Sequence, residues 1–131
     1  MCLNEIYRTH KDRIDFYCVY IKEAHPEDND GGYRTERNAA DGITIDQPTT
    51  IEKRAEAAEF CVLSLNLEMP MLLDNMTDQV EDAYRAWPDR LFVVDAEGRI
   101  AYRSEQGPQG FYPEQWEEAI QNLIGSRAAA E

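Results

Sequence analysis

A chain of 131 residues that is 43% apolar is long enough to bury a core, reads as a single domain over 1–131, and holds no apolar run of membrane-spanning length. Its 26 acidic residues against 13 basic ones leave a formal charge of −13, which opposes binding to phosphate backbones and anionic lipid, so neither nucleic acid nor membrane is an expected partner. Three cysteines, Cys2, Cys18 and Cys61, lack paired spacing, which argues against a disulfide scaffold or zinc cluster and makes a reducing, cytoplasmic setting the default.

Leu3, Ile6 and Tyr7, followed by polar positions to Arg13, read as the tail of an amphipathic helix. Ile14 to Ile21 is dense in β-branched and aromatic residues and, apart from Asp15, continuously apolar, the pattern of a parallel strand covered on both faces. From Pro26 to Pro48 the chain turns polar, with Asp30-Gly31-Gly32 and Asp41-Gly42 as turn signals, and reads as one long connecting loop. Thr49 or Thr50 can cap the next helix, whose apolar positions Ile51, Ala55, Ala58, Cys61 and Val62 recur at helical spacing through Leu65. Met69 to Asp74 fits a short strand, and Asp78 to Trp87 a helix stopped before Pro88. Arg90–Asp95 and Arg99–Arg103 flank Ala96-Glu97-Gly98 as a β-hairpin. Pro113 to Ile124 makes a final helix with Trp116, Ile120 and Leu123 inward, ended by Gly125, and the tail 126–131 is expected to fray.

Reactive groups of α/β proteins collect just past the carboxyl ends of strands, which draws attention to Tyr20-Ile21-Lys22-Glu23-Ala24-His25. If the extended conformation persists past Ile21, Glu23 and His25 leave one face and can share a proton, while Tyr20 points the other way. Spacing alone leaves a second reading open, a solvated loop histidine beside a capping or salt-bridging glutamate. Glu27, Asp28 and Asp30 crowd His25, but the alternation an EF-hand requires is missing, so a hydrated acidic turn is expected and no metal. Cys18, inside an apolar strand, and Cys61, on an amphipathic helix, read as small core residues whose burial raises the thiol pKa; Cys2 reads as incidental.

The stretches Tyr20–His25, Met69–Met76, Trp87-Pro88-Asp89-Arg90-Leu91-Phe92-Val93-Val94 and Tyr102-Arg103-Ser104-Glu105-Gln106-Gly107-Pro108 stand in order between about Ile14 and about Ile124, and together they resemble the iodothyronine deiodinase family. The resemblance implies an α/β, thioredoxin-like fold with a peroxiredoxin-like strand-helix insertion, a mixed sheet flanked by helices. In that family the selenol or thiol nucleophile follows the first, central strand, and this chain is expected to lack both, as an N-terminally truncated, bacterial-type relative. Glu23 and His25 are then implied as catalytic, with His25 a substrate or proton-relay residue oriented by Glu23. Tyr20, Pro88 and Gln106 are implied on the substrate side, with a cis peptide before Pro88.

Several positions depart from the family pattern. Gln106 stands where certain deiodinases place a cation, Met69 where vertebrate members have a resolving cysteine, Pro48 where they carry a second substrate-binding histidine, and Tyr33 where a tryptophan is usual. The activity implied is reductive removal of halogen, iodide above all, from a small aromatic substrate, with a thiol reductant as cosubstrate and no cofactor. The isolated chain is expected to be inactive, since no other residue replaces an attacking sulfur or selenium. Two other readings stand beside it: a non-catalytic binding module or strand-swapped homodimer, and a peroxiredoxin-like thiol reductase.

Overall fold

The computed structural model describes residues 2–23 and 46–130. They are mixed α/β in two units, one formed by the described residues within 1–16 and 89–131 and the other by those within Tyr17–Pro88.

In the first unit, α1 (Leu3–His10) buries Ile6 together with Asn4 and His10. Strands β3 (Phe92–Val94) and β4 (Ile100–Arg103) form the expected antiparallel hairpin, in which a bulge between Val93 and Val94 skips Ala101, so that Val93 pairs with Tyr102 and Val94 with Ile100. The turn is built by Asp95, whose Oδ1 accepts the Glu97 and Arg99 N–H groups, while Gly98 takes a left-handed φ of 83° that a side chain would resist. Those N–H groups, the Arg99 one foremost, hold the Asp95 carboxyl below its usual range. The last helix, Pro113–Ala130, packs Trp116 and Ile120 into a core with Ile6, Phe16, Leu91 and Val93. Phe16 sits edge-on between Tyr7 and Trp116, at centroid distances of 5.5 and 5.6 Å, and the Trp116 indole N–H donates to the Phe92 carbonyl at 2.9 Å.

Gly125 does not end that helix, contrary to the sequence expectation. Its position is open, with nothing within 4 Å of an added Cβ, and the residues beyond it are strong helix formers. The helix therefore continues through the Ala-rich tail, and the Arg127 guanidinium reaches the Arg13 carbonyl at 3.4 Å.

In the Tyr17–Pro88 unit, β1 (Cys18–Tyr20) pairs in parallel with β2 (Met71–Leu73), Tyr20 opposite Leu73. Both are shorter than the apolar runs that announced them, and β1 is half-buried rather than covered on both faces. Phe16 belongs to the core of the first unit and Tyr17 is 60% exposed, so most of the run from Ile14 lies outside the ladder. Helix α2 (Ile51–Leu65) packs on β2. Thr50 is its cap, the hydroxyl accepting the Lys53 N–H at 3.2 Å, and Asn66 closes the other end in the left-handed conformation. The following helix, α3 (Gln79–Tyr84), stops at Arg85, also left-handed, three residues before the proline that was expected to stop it. Helix Pro113–Ala130 is therefore α4 in chain order.

Candidate functional site

Beyond β1 the chain bends at Lys22, and period-two alternation ends there. Tyr20 and Glu23 consequently do not diverge, as an extended segment would make them. The Tyr20 hydroxyl donates to Glu23 Oε2 at 2.7 Å. Glu23 is also gripped through its backbone. Its N–H donates to Gln47 Oε1 at 2.8 Å, and Gln47 Nε2 donates to the Glu23 carbonyl at 3.0 Å. One side-chain amide thus stands in for a neighbouring strand. Nothing in the sequence singled out Gln47, which lies 24 residues away across the long connection.

The electrostatics follow from this packing. Burial pushes the Tyr20 phenol well above its ordinary pKa, and the hydrogen bond to Glu23 and the carboxylate's charge push it further, while the Arg54 charge opposes them. The Cys61 thiol is raised by burial and then by the Glu23 charge, and Cys18 by burial and then by Cys61. Both cysteines are half-buried rather than fully in the core, and both are held toward the unreactive thiol form.

A second group of residues forms around the turn after α3. The Trp87–Pro88 peptide is cis, as the family resemblance implied. Lys22 places its ammonium 5.5 Å above the Trp87 ring. Burial raises the Glu81 carboxyl, against the pull of Lys22.

The two groups share a buried polar hub that sequence reasoning missed. Asp74 is 1% exposed, and its carboxylate accepts the N–H groups of Asn75, Val80 and Glu81 at 2.9, 3.0 and 2.9 Å, capping α3 from outside the helix. Arg54, 2% exposed on the inner face of α2, donates to the carbonyls of Asp74 and Asn75 at 3.2 and 2.6 Å and to Asp78 Oδ1 at 3.0 Å. Asp74 in turn donates its own N–H to the Tyr20 carbonyl at 2.9 Å. The available signal was positional. Arg54 stands in the i, i+3, i+4, i+7 stripe with Ala57, Ala58 and Cys61, where a charged residue needs a built partner.

Gln106 lies in the first unit, exposed, on the turn that also holds the cis Gly107–Pro108 peptide, and its carbonyl accepts the Gly110 N–H at 3.1 Å. His25 and the acidic residues Glu27, Asp28 and Asp30 lie outside the described residues. Among the described residues no group of three or more His, Cys, Asp or Glu could hold a metal ion, and no helix is long and apolar enough to cross a membrane.

Comparison with known proteins supplies what this geometry cannot. The family model described as iodothyronine deiodinase matches residues 3–123. The thyroxine 5-deiodinase of Ovis aries is 35% identical over 99 residues, which cover 75% of this chain and 31% of that protein. The thyroxine 5-deiodinase of Sparus aurata is 32% identical over 129 residues, covering 90% of this chain and 43% of the relative. The type I iodothyronine deiodinase of Xenopus laevis is 29% identical over 112 residues, covering 86% and 41%. This chain therefore spans well under half the length of these relatives, and it belongs to the iodothyronine deiodinase family.

Proposed function

We propose that the protein is an oxidoreductase that removes halogen, iodide in the first instance, reductively from a small aromatic substrate on a thioredoxin-like scaffold. A selenolate or thiolate attacks the halogen. The carbon–halogen bond breaks with its electron pair left on the ring, and a proton takes the vacated position. The selenenyl or sulfenyl halide is then reduced by two equivalents of a thiol, which leave as a disulfide while halide departs and the nucleophile is restored. We assign the nucleophile to a residue outside these 131. Cys18 and Cys61 are held as thiols by burial, and Cys2, exposed ahead of α1, follows no described strand, whereas the nucleophile of this family follows the first, central strand.

The part assigned to this chain is proton delivery. The observation that carries it is the Tyr20–Glu23 hydrogen bond of 2.7 Å, made to a glutamate whose backbone is clamped on both sides by Gln47. A group that passes a proton must be held within hydrogen-bond reach of its partners, and this carboxylate, to be loaded with a proton through His25 before it delivers one, is restrained in both rotamer and backbone position. His25, two residues on, is the proposed relay partner. Pro88 and Gln106 are proposed substrate contacts. No cofactor enters the scheme.

The test is a protein expressed with a nucleophile-bearing segment ahead of Met1, assayed in parallel for iodide release from an iodinated phenol with dithiol and for peroxide consumption. Iodide release is expected. It should fall by about a hundredfold or more in Glu23→Gln and in His25→Ala, as removal of a general acid does. Peroxide consumption without iodide release would replace this reading with a peroxiredoxin-like one. A stable dimer without either activity would replace it with a binding module.

A further inference from the structure

The buried pair Arg54 and Asp74 has no place in the proton-delivery scheme, yet among the described residues it carries a dense set of hydrogen bonds in the unit that holds Glu23. Five hydrogen bonds run through Asp74. Its N–H donates to the Tyr20 carbonyl at 2.9 Å, extending the ladder at the residue whose hydroxyl holds Glu23. Its carbonyl accepts from Arg54 Nη1 at 3.2 Å. One carboxylate oxygen takes the Asn75 and Val80 N–H groups and the other takes that of Glu81. Arg54 adds bonds to the Asn75 carbonyl at 2.6 Å and to Asp78 at 3.0 Å, so the whole Asp74–Asp78 segment is pinned to α2. Arg54 Nε has no hydrogen-bond partner among the described residues, so the guanidinium is buried incompletely satisfied. Apolar residues at these two positions would close α2 on β2 without that penalty. What a guanidinium supplies that they cannot is a three-point fix on a backbone segment lacking regular structure.

We propose that Arg54 and Asp74 are positioning residues that act through the backbone of Tyr20 to set the Tyr20–Glu23 hydrogen bond. This rests on the reading of Glu23 as a proton donor for its consequence in turnover, but not for its geometric content. Neither residue touches the Glu23 carboxylate in the structure. The path is Arg54 to the Asp74 carbonyl, Asp74 N–H to the Tyr20 carbonyl, and Tyr20 hydroxyl to Glu23, each link a bond of 3.2 Å or less. Displacements well under 1 Å suffice to break such a bond and to misplace a proton donor.

The experiment uses the 131-residue chain carrying tyrosine labelled with 13C at Cζ, whose shift reports the hydrogen bonding of each phenol. Tyr20→Phe identifies the Tyr20 signal, and Glu23→Gln gives its position when the carboxylate partner is lost. Arg54→Lys keeps the charge but cannot reach three acceptors, and Asp74→Asn cannot accept all three N–H groups. In both, the Tyr20 signal is expected to move toward its Glu23→Gln position while signals of tyrosines in the other unit, Tyr7 and Tyr102, stay put. In the nucleophile-bearing protein, iodide release should drop about ten- to a hundredfold in kcat with little change in KM for the iodinated phenol. Should both variants fail to fold, Asp78→Asn, at a side chain 29% exposed, weakens only one of the three Arg54 bonds and is expected to move the Tyr20 signal the same way by a smaller step. A Tyr20 signal unchanged in any folded one of these variants overturns the proposal. Iodide release that survives Glu23→Gln in the nucleophile-bearing protein overturns the proton-donor reading instead, whatever the Tyr20 signal does, so the two failures are read by different measurements.

Discussion

The first unit closes over Ile6, Phe16, Leu91, Val93, Trp116 and Ile120, with three aromatic rings in successive edge-on contact. Among its described residues the Tyr17–Pro88 unit buries the small or isolated apolar residues Pro48, Ala57, Ala58 and Met69 and leaves Leu63, Leu65, Leu72 and Phe60 open. At its centre stand Arg54 and Asp74 instead. The first arrangement tolerates small losses of polar contact because dispersion and area burial are spread over many atoms. The second concentrates its cohesion in a few directional bonds, each of which also fixes the position of a backbone segment. Directional bonds are what a site needs if one carboxyl must be held within hydrogen-bond reach of a reacting atom.

The largest effect that would break this comparison is apolar truncation in the first unit. Trp116→Ala should lower stability by about 3–5 kcal/mol in denaturant melts, whereas Trp116→Phe, which keeps the packing and loses the bond to Phe92, should lower it by only about 1 kcal/mol. The mirror experiment is Asp74→Ala, which strands three N–H groups and leaves the Arg54–Asp78 pair to carry the segment alone; about 3 kcal/mol or more is expected, read from the urea midpoint. If Asp74→Ala were nearly silent while Trp116→Ala unfolded the chain, the polar centre would be decoration.

Next in size is Gly110→Ala. A Cβ there would run into the Glu105 backbone, which cannot rotate aside as a side chain does, and a loss of about 1–3 kcal/mol is expected. Alkaline titration followed by tyrosinate absorbance sharpens the picture of Tyr20. Its phenol is raised in the folded state, so it stays protonated where exposed tyrosines ionise near about pH 10. Below that pH the phenol is neutral in both folded and unfolded chains and its contribution to stability is complete. As pH rises further the unfolded chain ionises first, and stability should fall, less steeply in Tyr20→Phe. The smallest effect has the opposite sign. Gly125→Ala, in open space on α4, should stabilise by about 0.5–1 kcal/mol in thermal melts.

Much of this was legible in the residues themselves. Helical spacing with a threonine ahead of it located α2, short apolar runs located the strands, and the loop Ala96-Glu97-Gly98 located the hairpin, because each signal is local and each element satisfies it locally. Four short motifs in order were enough to recognise the family that the comparison with known proteins establishes. Local rules failed where a distant partner intervened. The strand expected from Ile14 is short because Phe16 finds its place against Trp116, a hundred residues on in the chain. The helix expected to run to Trp87 ends at Arg85, and the helix expected to end at Gly125 continues.

At the candidate site the division is sharper still. Residue type and order alone placed a glutamate and a histidine past a strand end and a proline at a turn, and composition alone argued against nucleic acid as a partner. Tertiary structure decided that Tyr20 meets Glu23, that Gln47 grips its backbone, and that Arg54 lies buried against Asp74. Tyr20 and Glu23, three residues apart, meet because the chain bends at Lys22; for the other two contacts the physical reason is separation along the chain. A hydrogen bond between residues 20 or 24 positions apart leaves no periodicity in the sequence, and only the folded backbone brings its donor and acceptor within 3 Å or so.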